Sequence, residues 1–498
     1  MKNILLVFFS LLSAFTQGQV VYSGPITITK GGTYTGNYKS DDSNIPAITL
    51  QTYEPVEITH CNIVSSGIHI KCPGGTNLNI HHNNFSGQKP TGNNQWGRVL
   101  DDYHPQYLIF ENNLVNHTGG LLIDHSDENT RSAIIRYNIF RNTDKRRVDM
   151  SEGEHRASIL FNTVLPINGE IAYNKFENLL DSSWIEDNIN LGNSGGTSAL
   201  PFLIHDNYIK GAYPYPYNAD HYTGSGITVE GSPSMNQFNN VSQYIKIYNN
   251  QVISTCNGGI NINAGHNIDV AYNTIVSSGM FPNGVQSQRF WGGGAVWNGS
   301  NVGTDVFKDI SYKNNTIGYV RPGVNVPYAN RQDWVTVDGS PYNIQPGDNV
   351  SLSNPINLAT ELAEIPKWDA KLASNKITLG NITGTTANDP VVSIAALTIN
   401  LGQKATGIIY PLNIKGDTVT YKAGSMKAVS ADNSIFTVIA SGNNLNITPL
   451  KAGTGKGTIT LISNAGKTIS KNFTIEVLSA TPAVVEPVNF NISFIITQ

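Results

Sequence analysis

Seven short stretches of this 498-residue chain place a polar side chain at a recurring position. They are VLDD (99–102), LIDHS (122–126), RVDMS (147–151), WIEDN (184–188), TVEG (228–231), NINAG (261–265) and AVWNG (295–299). Strand side chains alternate, so with Leu100, Ile123, Val148, Ile185, Val229, Ile262 and Val296 facing inward the next residue of each faces outward. That outward column reads Asp101, Asp124, Asp149, Glu186, Glu230, Asn263 and Trp297. The outward column two places earlier reads Val99, Leu122, Arg147, Trp184, Thr228, Asn261 and Ala295. Carboxylates on neighbouring turns would stand ~5 Å apart, close enough to raise each other's pKa. The same spacing suits a retaining glycosidase pair, and two turns, ~10 Å, reach the upper edge of the inverting range. Calcium would accept several such oxygens, with Asp149, Glu186 and Asp187 as candidate ligands beside Asn carbonyls.

A basic group lies in the same region. Lys145, Arg147 and Asp149 share the parity of one strand, with Arg146, His155 and Arg156 close by in sequence. Elimination from an acidic polysaccharide needs a cation to neutralise the carboxylate that acidifies the neighbouring proton, and a base to remove that proton. Arg147 and Lys145 are the base candidates, and Asp149, Glu186 and Asp124 the acid or cation-holding candidates. The plainer alternative has Arg147 and Lys145 pairing with Asp124 and Asp149 on a solvated face. Two insertions enter this ladder from upstream. One is GAYPYPYNADHYTGSG (211–226), with Tyr215, Asp220, His221 and Tyr222; the other is FPNGVQSQRFWGGG (281–294), with Arg289 and Trp291. Each ends at a ladder strand and is expected to overhang it. With Trp184, Glu230 and Trp297 these residues are candidates for substrate binding, because aromatic planes beside carboxylates suit sugar rings. A self-packed loop of Pro and Tyr is the alternative.

The elements that must position these groups announce themselves by repetition. A phrase of alternating apolar residues, then Asn, any residue and an apolar residue recurs between about 78 and 320. Instances are LNIHHNNF (78–85), YLIFENNL (107–114), AIIRYNIF (133–140), SILFNTV (158–164), EIAYNKF (170–176), FLIHDNYI (202–209), IKIYNNQV (245–252), IDVAYNTI (268–275) and ISYKNNTI (310–317). Period two marks a strand, and each strand is too short to bury its face alone, so successive turns must stack as a solenoid. The aligned Asn residues are Asn83, Asn112, Asn138, Asn162, Asn250 and Asn273; the 12-residue step from Asn162 to Asn174 suggests a second face of one turn. Asn tolerates left-handed backbone, and its amide can bond the amide of the next turn ~4.8 Å away.

The repeated phrase resembles the right-handed parallel β-helix proteins of the pectate-lyase-like superfamily, over about residues 25–345. The resemblance implies an all-β solenoid across 20–380, on a scaffold that carries polysaccharide lyases, glycoside hydrolases, phage tailspikes and adhesins. Leu358, Leu362, Ile365, Trp368 and Leu372 fall at helical spacing and predict a helix that caps the open end. Short strands with turn signals then fill 385–478. The run ITPLKAGTGKGTIT (447–460) resembles the bacterial immunoglobulin-like (Big-type) module, a β-sandwich used as a spacer or binding appendage. Residues 479–498 read as a tail.

Composition supports the same division. Only 14% of the chain is charged, against about 25% in ordinary domains, which argues against long helices. Of 59 Asn, 37 lie between Asn62 and Asn315, where the turns repeat. All 11 His and all 10 Arg lie between His60 and Arg331, so chemistry belongs to the solenoid. Residues 1–19 carry Lys2, an apolar run and small residues, the pattern of a secretory signal peptide. No later apolar run is long enough to span a bilayer. A net charge of −4 gives no reason to expect nucleic acid as partner. Three Cys, without Cys-x-x-Cys, read as buried thiols or one disulfide, not a zinc site. The expectation is a secreted, monomeric, polysaccharide-degrading enzyme, lyase-like first and glycosidase second, with a non-catalytic glycan-binding or adhesin-like protein as the alternative.

Overall fold

The computed structural model describes residues 20–125, 132–165, 167–219, 223–234, 237–287, 289–322, 330–336, 348–381, 397–400, 405–413, 425–441, 444–462, 468–478 and 488–496. Between Ile26 and Ser351 three parallel sheets of eleven, ten and eleven strands run side by side. Each turn gives one strand to each sheet in sequence, as in Leu100–Tyr103, Tyr107–Glu111 and Leu114–Asn116. The chain is a three-sided parallel solenoid, consistent with a right-handed β-helix. Inward residues stack in columns, such as Leu100, Leu121, Ile159, Ile189, Ile227 and Ile260 in the first sheet. A run of aromatic rings ends with Phe140 on Phe176, centroids 5.0 Å apart.

A ladder of buried amides fixes the register of these turns. It runs Asn83, Asn113, Asn138, Asn174, Asn207, Asn250, Asn273, Asn315, Asn349. At each rung the next residue's Oδ1 accepts both the backbone N–H and the Nδ2–H of the one before, at 2.9 and 3.1 Å between Asn174 and Asn207. The Nδ2 also donates to a backbone carbonyl of the turn before, as Asn207 does to Ile171 at 2.9 Å. The ladder therefore contains Asn113 and Asn174, not Asn112 and Asn162. Asn162 ends a first-sheet strand, Ala157–Asn162, so SILFNTV belongs to a different sheet from the other phrases. The left-handed residue is the one before each rung from Asn83 to Asn315: His82, Asn112, Tyr137, Tyr173, Asp206, Asn249, Tyr272 and Asn314 have φ between 50° and 61°. The strand turns there, and the following amide ties the turn to its neighbours.

Two short helices follow the solenoid, α1 (Leu358–Leu362) and α2 (Glu364–Ser374). They lie along the flank of the third sheet and do not close an open end. Trp368 is buried against Tyr208, its Nε1 donating to the Asp206 carbonyl at 2.8 Å, and the chain continues until Gly380 N–H bonds Tyr137. The apolar spacing was matched by an apolar row on the sheet flank, Tyr208, Ile253 and Val276. The C-terminal region holds two four-stranded sheets. Residues 488–496 form a strand beside Ala405–Asn413, so the expected tail contributes to a sheet. Cys61, Cys72 and Cys256 are buried free thiols. Among the described residues no helix is long and apolar enough to cross a membrane. The expected signal peptide lies outside the described residues.

One inward position breaks the apolar pattern. Asp102 sits in the core column between Cys72 and Ile123, fully buried, and both its oxygens lie within 2.8 Å of the Thr76 hydroxyl. Burial pushes its pKa up to about 7, outweighing the Thr76 hydrogen bond. The folded pKa is raised, so this group's contribution is present at low pH and lost as pH rises through about 7. Asp102→Asn is expected to flatten the fall in stability between mildly acidic and neutral pH, a difference of a few kcal/mol seen in denaturant melts. Asn207→Ala orphans polar groups on two turns and is expected to cost roughly 3 kcal/mol or more, while exposed Asn239→Ala stays within about 0.5 kcal/mol; thermal unfolding reads both.

Candidate functional site

The outer face of the first sheet is the candidate groove, and register places its residues. One outward column is Tyr103, Asp124, Asn162, Gly192 and Glu230, continued by Asn263 and Trp297. The column two places earlier is Asp101, Leu122, Leu160, Asn190, Thr228, Asn261 and Ala295. Asp124, Glu230, Asn263 and Trp297 stand where the alternation put them. Asp101, Asp149 and Glu186 do not, and the continuous acidic ladder is absent. The cause is the strands themselves: these turns contribute Ala157–Asn162 and Asp187–Gly192, so 147–151 is loop and Glu186 precedes its strand.

Of the two base candidates, Lys145 is ion-paired away from the sheet. Lys145 has a side chain only 2% exposed, with its Nζ held between Glu152 and Glu186 and 4.9 Å from the Trp184 ring. Lys145 is thus a buried, ion-paired cation, with Glu152 and Glu186 as its partners. Arg147 lies in the same loop, its backbone N–H bonded to Ser151. Asp149 is exposed and accepts from the Ser151 N–H and hydroxyl and from Asn93, contacts that lower its pKa. Asp149, Glu186 and Asp187 therefore do not converge, and among the described residues no group of three His, Cys, Asp or Glu is placed to hold a metal.

The first insertion is largely self-packed. Trp184 is buried, 6.1 Å from Tyr215, and Tyr215 covers the Arg146 guanidinium at 4.3 Å. Arg146 in turn pairs with Asp144 at 2.6 Å. Tyr213 and Phe281 are core residues. Trp184 is thus buried in the packing of this loop, and Tyr215 is half-buried over Arg146. Asp220, His221 and Tyr222 lie outside the described residues. In the second insertion Arg289 is half-buried, and Trp291 stands 6.2 Å from Trp297, which is 41% exposed. This tryptophan pair is one aromatic surface on this face, and Tyr103, 40% exposed at the other end of the outward column, is another.

Toward the acidic half, Asp187 and Glu230 share one amide. Asn190 Nδ2 donates to Asp187 Oδ2 at 2.8 Å and to Glu230 Oε1 at 3.0 Å, and the Thr228 hydroxyl donates to Asp187 Oδ1 at 2.8 Å. With the two N–H bonds of one amide about 120° apart, the two oxygens it holds lie about 5 Å from each other. Burial, then the Asp187 charge, raises the Glu230 pKa. His155 Nε2 is 3.9 Å from Asp187 Oδ2. Toward the other half lie two guanidiniums. Burial and then Arg98 push the Arg156 pKa down to about 9, and burial lowers that of Arg98 against the attraction of Asp101. Asp124 accepts from Asn162 at 2.7 Å and pairs with His125 at 2.8 Å.

Among the described residues, several buried polar atoms on this floor have no hydrogen-bond partner: Nη1 of Arg98, Nε of Arg156, Nε2 of His155, and the amide oxygens of Asn190 and Asn261. Folded chains satisfy nearly all such atoms, so a row of them along one groove is what a ligand's hydroxyls and carboxylates would complete. Sequence reasoning missed Arg98 and Asn190. Matching Ile189 and Leu191 to Ile227 and Val229 would have started the strand at Asp187 and exposed Asn190. No protein-family model matches the chain, and no curated protein matches it. Lys145→Met is expected to lower the melting temperature by several degrees by stranding Glu186 and Glu152, while Asp149→Ala leaves it unchanged; scanning calorimetry distinguishes the two.

Proposed function

We propose that this chain is a secreted carbohydrate-active protein that binds a polysaccharide along the first-sheet groove and hydrolyses it with Glu230 and Asp187. The observation that carries this reading is the pair of carboxylates bridged by Asn190, one of them with a raised pKa. A carboxyl with a raised pKa beside a second carboxyl is the arrangement an acid and a nucleophile require. Their spacing fits a retaining pair. Glu230, protonated, gives its proton to the glycosidic oxygen as the bond to the leaving sugar breaks. Asp187 attacks the anomeric carbon to form a glycosyl ester. Water, deprotonated by Glu230, then releases the sugar and restores both groups. Asn190 and Thr228 orient Asp187, and Trp291 with Trp297 supplies a face for a sugar ring.

A second reading keeps β-elimination, with Arg156 in place of the earlier base candidates. Its pKa of about 9 makes it the more readily deprotonated guanidinium, and Arg98 would hold the substrate carboxylate. Binding without turnover, as an adhesin, is the non-catalytic reading. The C-terminal sheets, proposed as an immunoglobulin-like module, would serve as spacer under each.

The test is a panel of acidic and neutral polysaccharides, read for new reducing ends and for the ultraviolet absorbance of unsaturated products. Hydrolysis predicts reducing ends without absorbance; both together would move the chemistry to Arg156; silence with binding retained would sink the enzyme. Glu230→Gln is expected to lower kcat by at least about 100-fold. The rate should fall as pH rises through the elevated Glu230 pKa, because the acid form is then lost.

A further inference from the structure

Away from the groove, where the second sheet turns into the third, α2 and the solenoid border an open cavity of about 440 Å³. Its floor is Thr274 and Thr316, paired in register on neighbouring third-sheet strands. Its rim carries Tyr272, 64% exposed and held at φ 59°, just before a ladder Asn. The ring is thus displayed at a fixed backbone position beside the amide ladder, open to a ligand that stacks on it.

The charges in the wall cancel one another. Lys371 bonds Asp206 at 2.8 Å, and Lys367 bonds Glu364 at 2.5 Å. Gln251 is spent on Glu364, at 2.9 Å. A charged ligand would have to break these pairs, and an apolar one would desolvate hydroxyls and amides without replacing their bonds. What fits is a ring with an apolar face and hydroxyl edges: the ring stacks on Tyr272, and the hydroxyls meet Thr274, Thr316 and Asn249.

We propose that this cavity is a second glycan-binding site, for an uncharged sugar residue, separate from the groove and independent of any cleavage there. The site would hold the protein on a neutral polysaccharide.

The experiment is native electrophoresis of the whole chain through gels containing xyloglucan, galactomannan or a mixed-linkage β-glucan. At least one gel is expected to retard the protein. Tyr272→Ala should weaken that retardation about tenfold, while Tyr272→Phe and Glu230→Gln retain it. Calorimetric melting of Tyr272→Ala should match the parent, as befits an exposed ring. Retardation that survives Tyr272→Ala but is lost in Trp297→Ala would overturn the proposal by moving binding to the groove. No retardation in any of the three gels would overturn it as well. Failure of the hydrolysis reading would show only in product assays and would leave this result standing.

Discussion

The constraint on which the structure depends is that each buried amide of the ladder must be satisfied by the turn beside it. A short strand has no register of its own, and a one-residue slip would exchange its inner and outer faces. The ladder removes that freedom. Asn207 donates to Asn250 and accepts from Asn174, so its place is set on both sides. Successive rungs stand from 23 to 43 residues apart in sequence without disturbing the stack. The long insertions are tolerated because they leave the rungs alone, and the groove's outward columns inherit the register the ladder imposes.

That inheritance explains what was legible in the sequence. The solenoid could be read because period two and the recurring Asn are local patterns. The outward column could be read where a strand ran straight from its inward residues, at Ile123–Asp124 and Val229–Glu230. It failed between 144 and 188, where RVDMS alternates like a strand but is a loop, and the strand of that turn was mistaken for a rung. No local signal separates the two; only stacking against the neighbouring turns does. Asn188 shows a further limit. It turns inward to bond Asn178 although Ile189 beside it is also inward, and this break in alternation lets Asp187 reach Asn190.

Electrostatics divides the groove into unlike halves. Burial and then Arg98 lower the affinity of Arg156 for a proton, while burial and then Asp187 raise that of Glu230. Each half is less comfortable alone than with a ligand that brings the opposite charge or a set of hydroxyls. The surrounding shell is by contrast saturated: Lys145 with Glu152 and Glu186, Arg146 with Asp144, Tyr215 over Arg146. The residues that first drew attention by their charge belong to this shell. They brace the loop beside the groove and leave the unpaired atoms on its floor. The same distinction, paired wall and open floor, recurs at the cavity under α2.

The central claim is that the register brings Asp187 and Glu230 together as a coupled acid pair. Its most direct measurement is the titration of the Glu230 carboxyl, followed by carbon NMR on glutamate-labelled protein with Glu230→Gln to assign the signal. The account predicts a midpoint above the ordinary glutamate range that drops part of the way back in Asp187→Asn. An ordinary midpoint, or a raised one indifferent to Asp187, would contradict it.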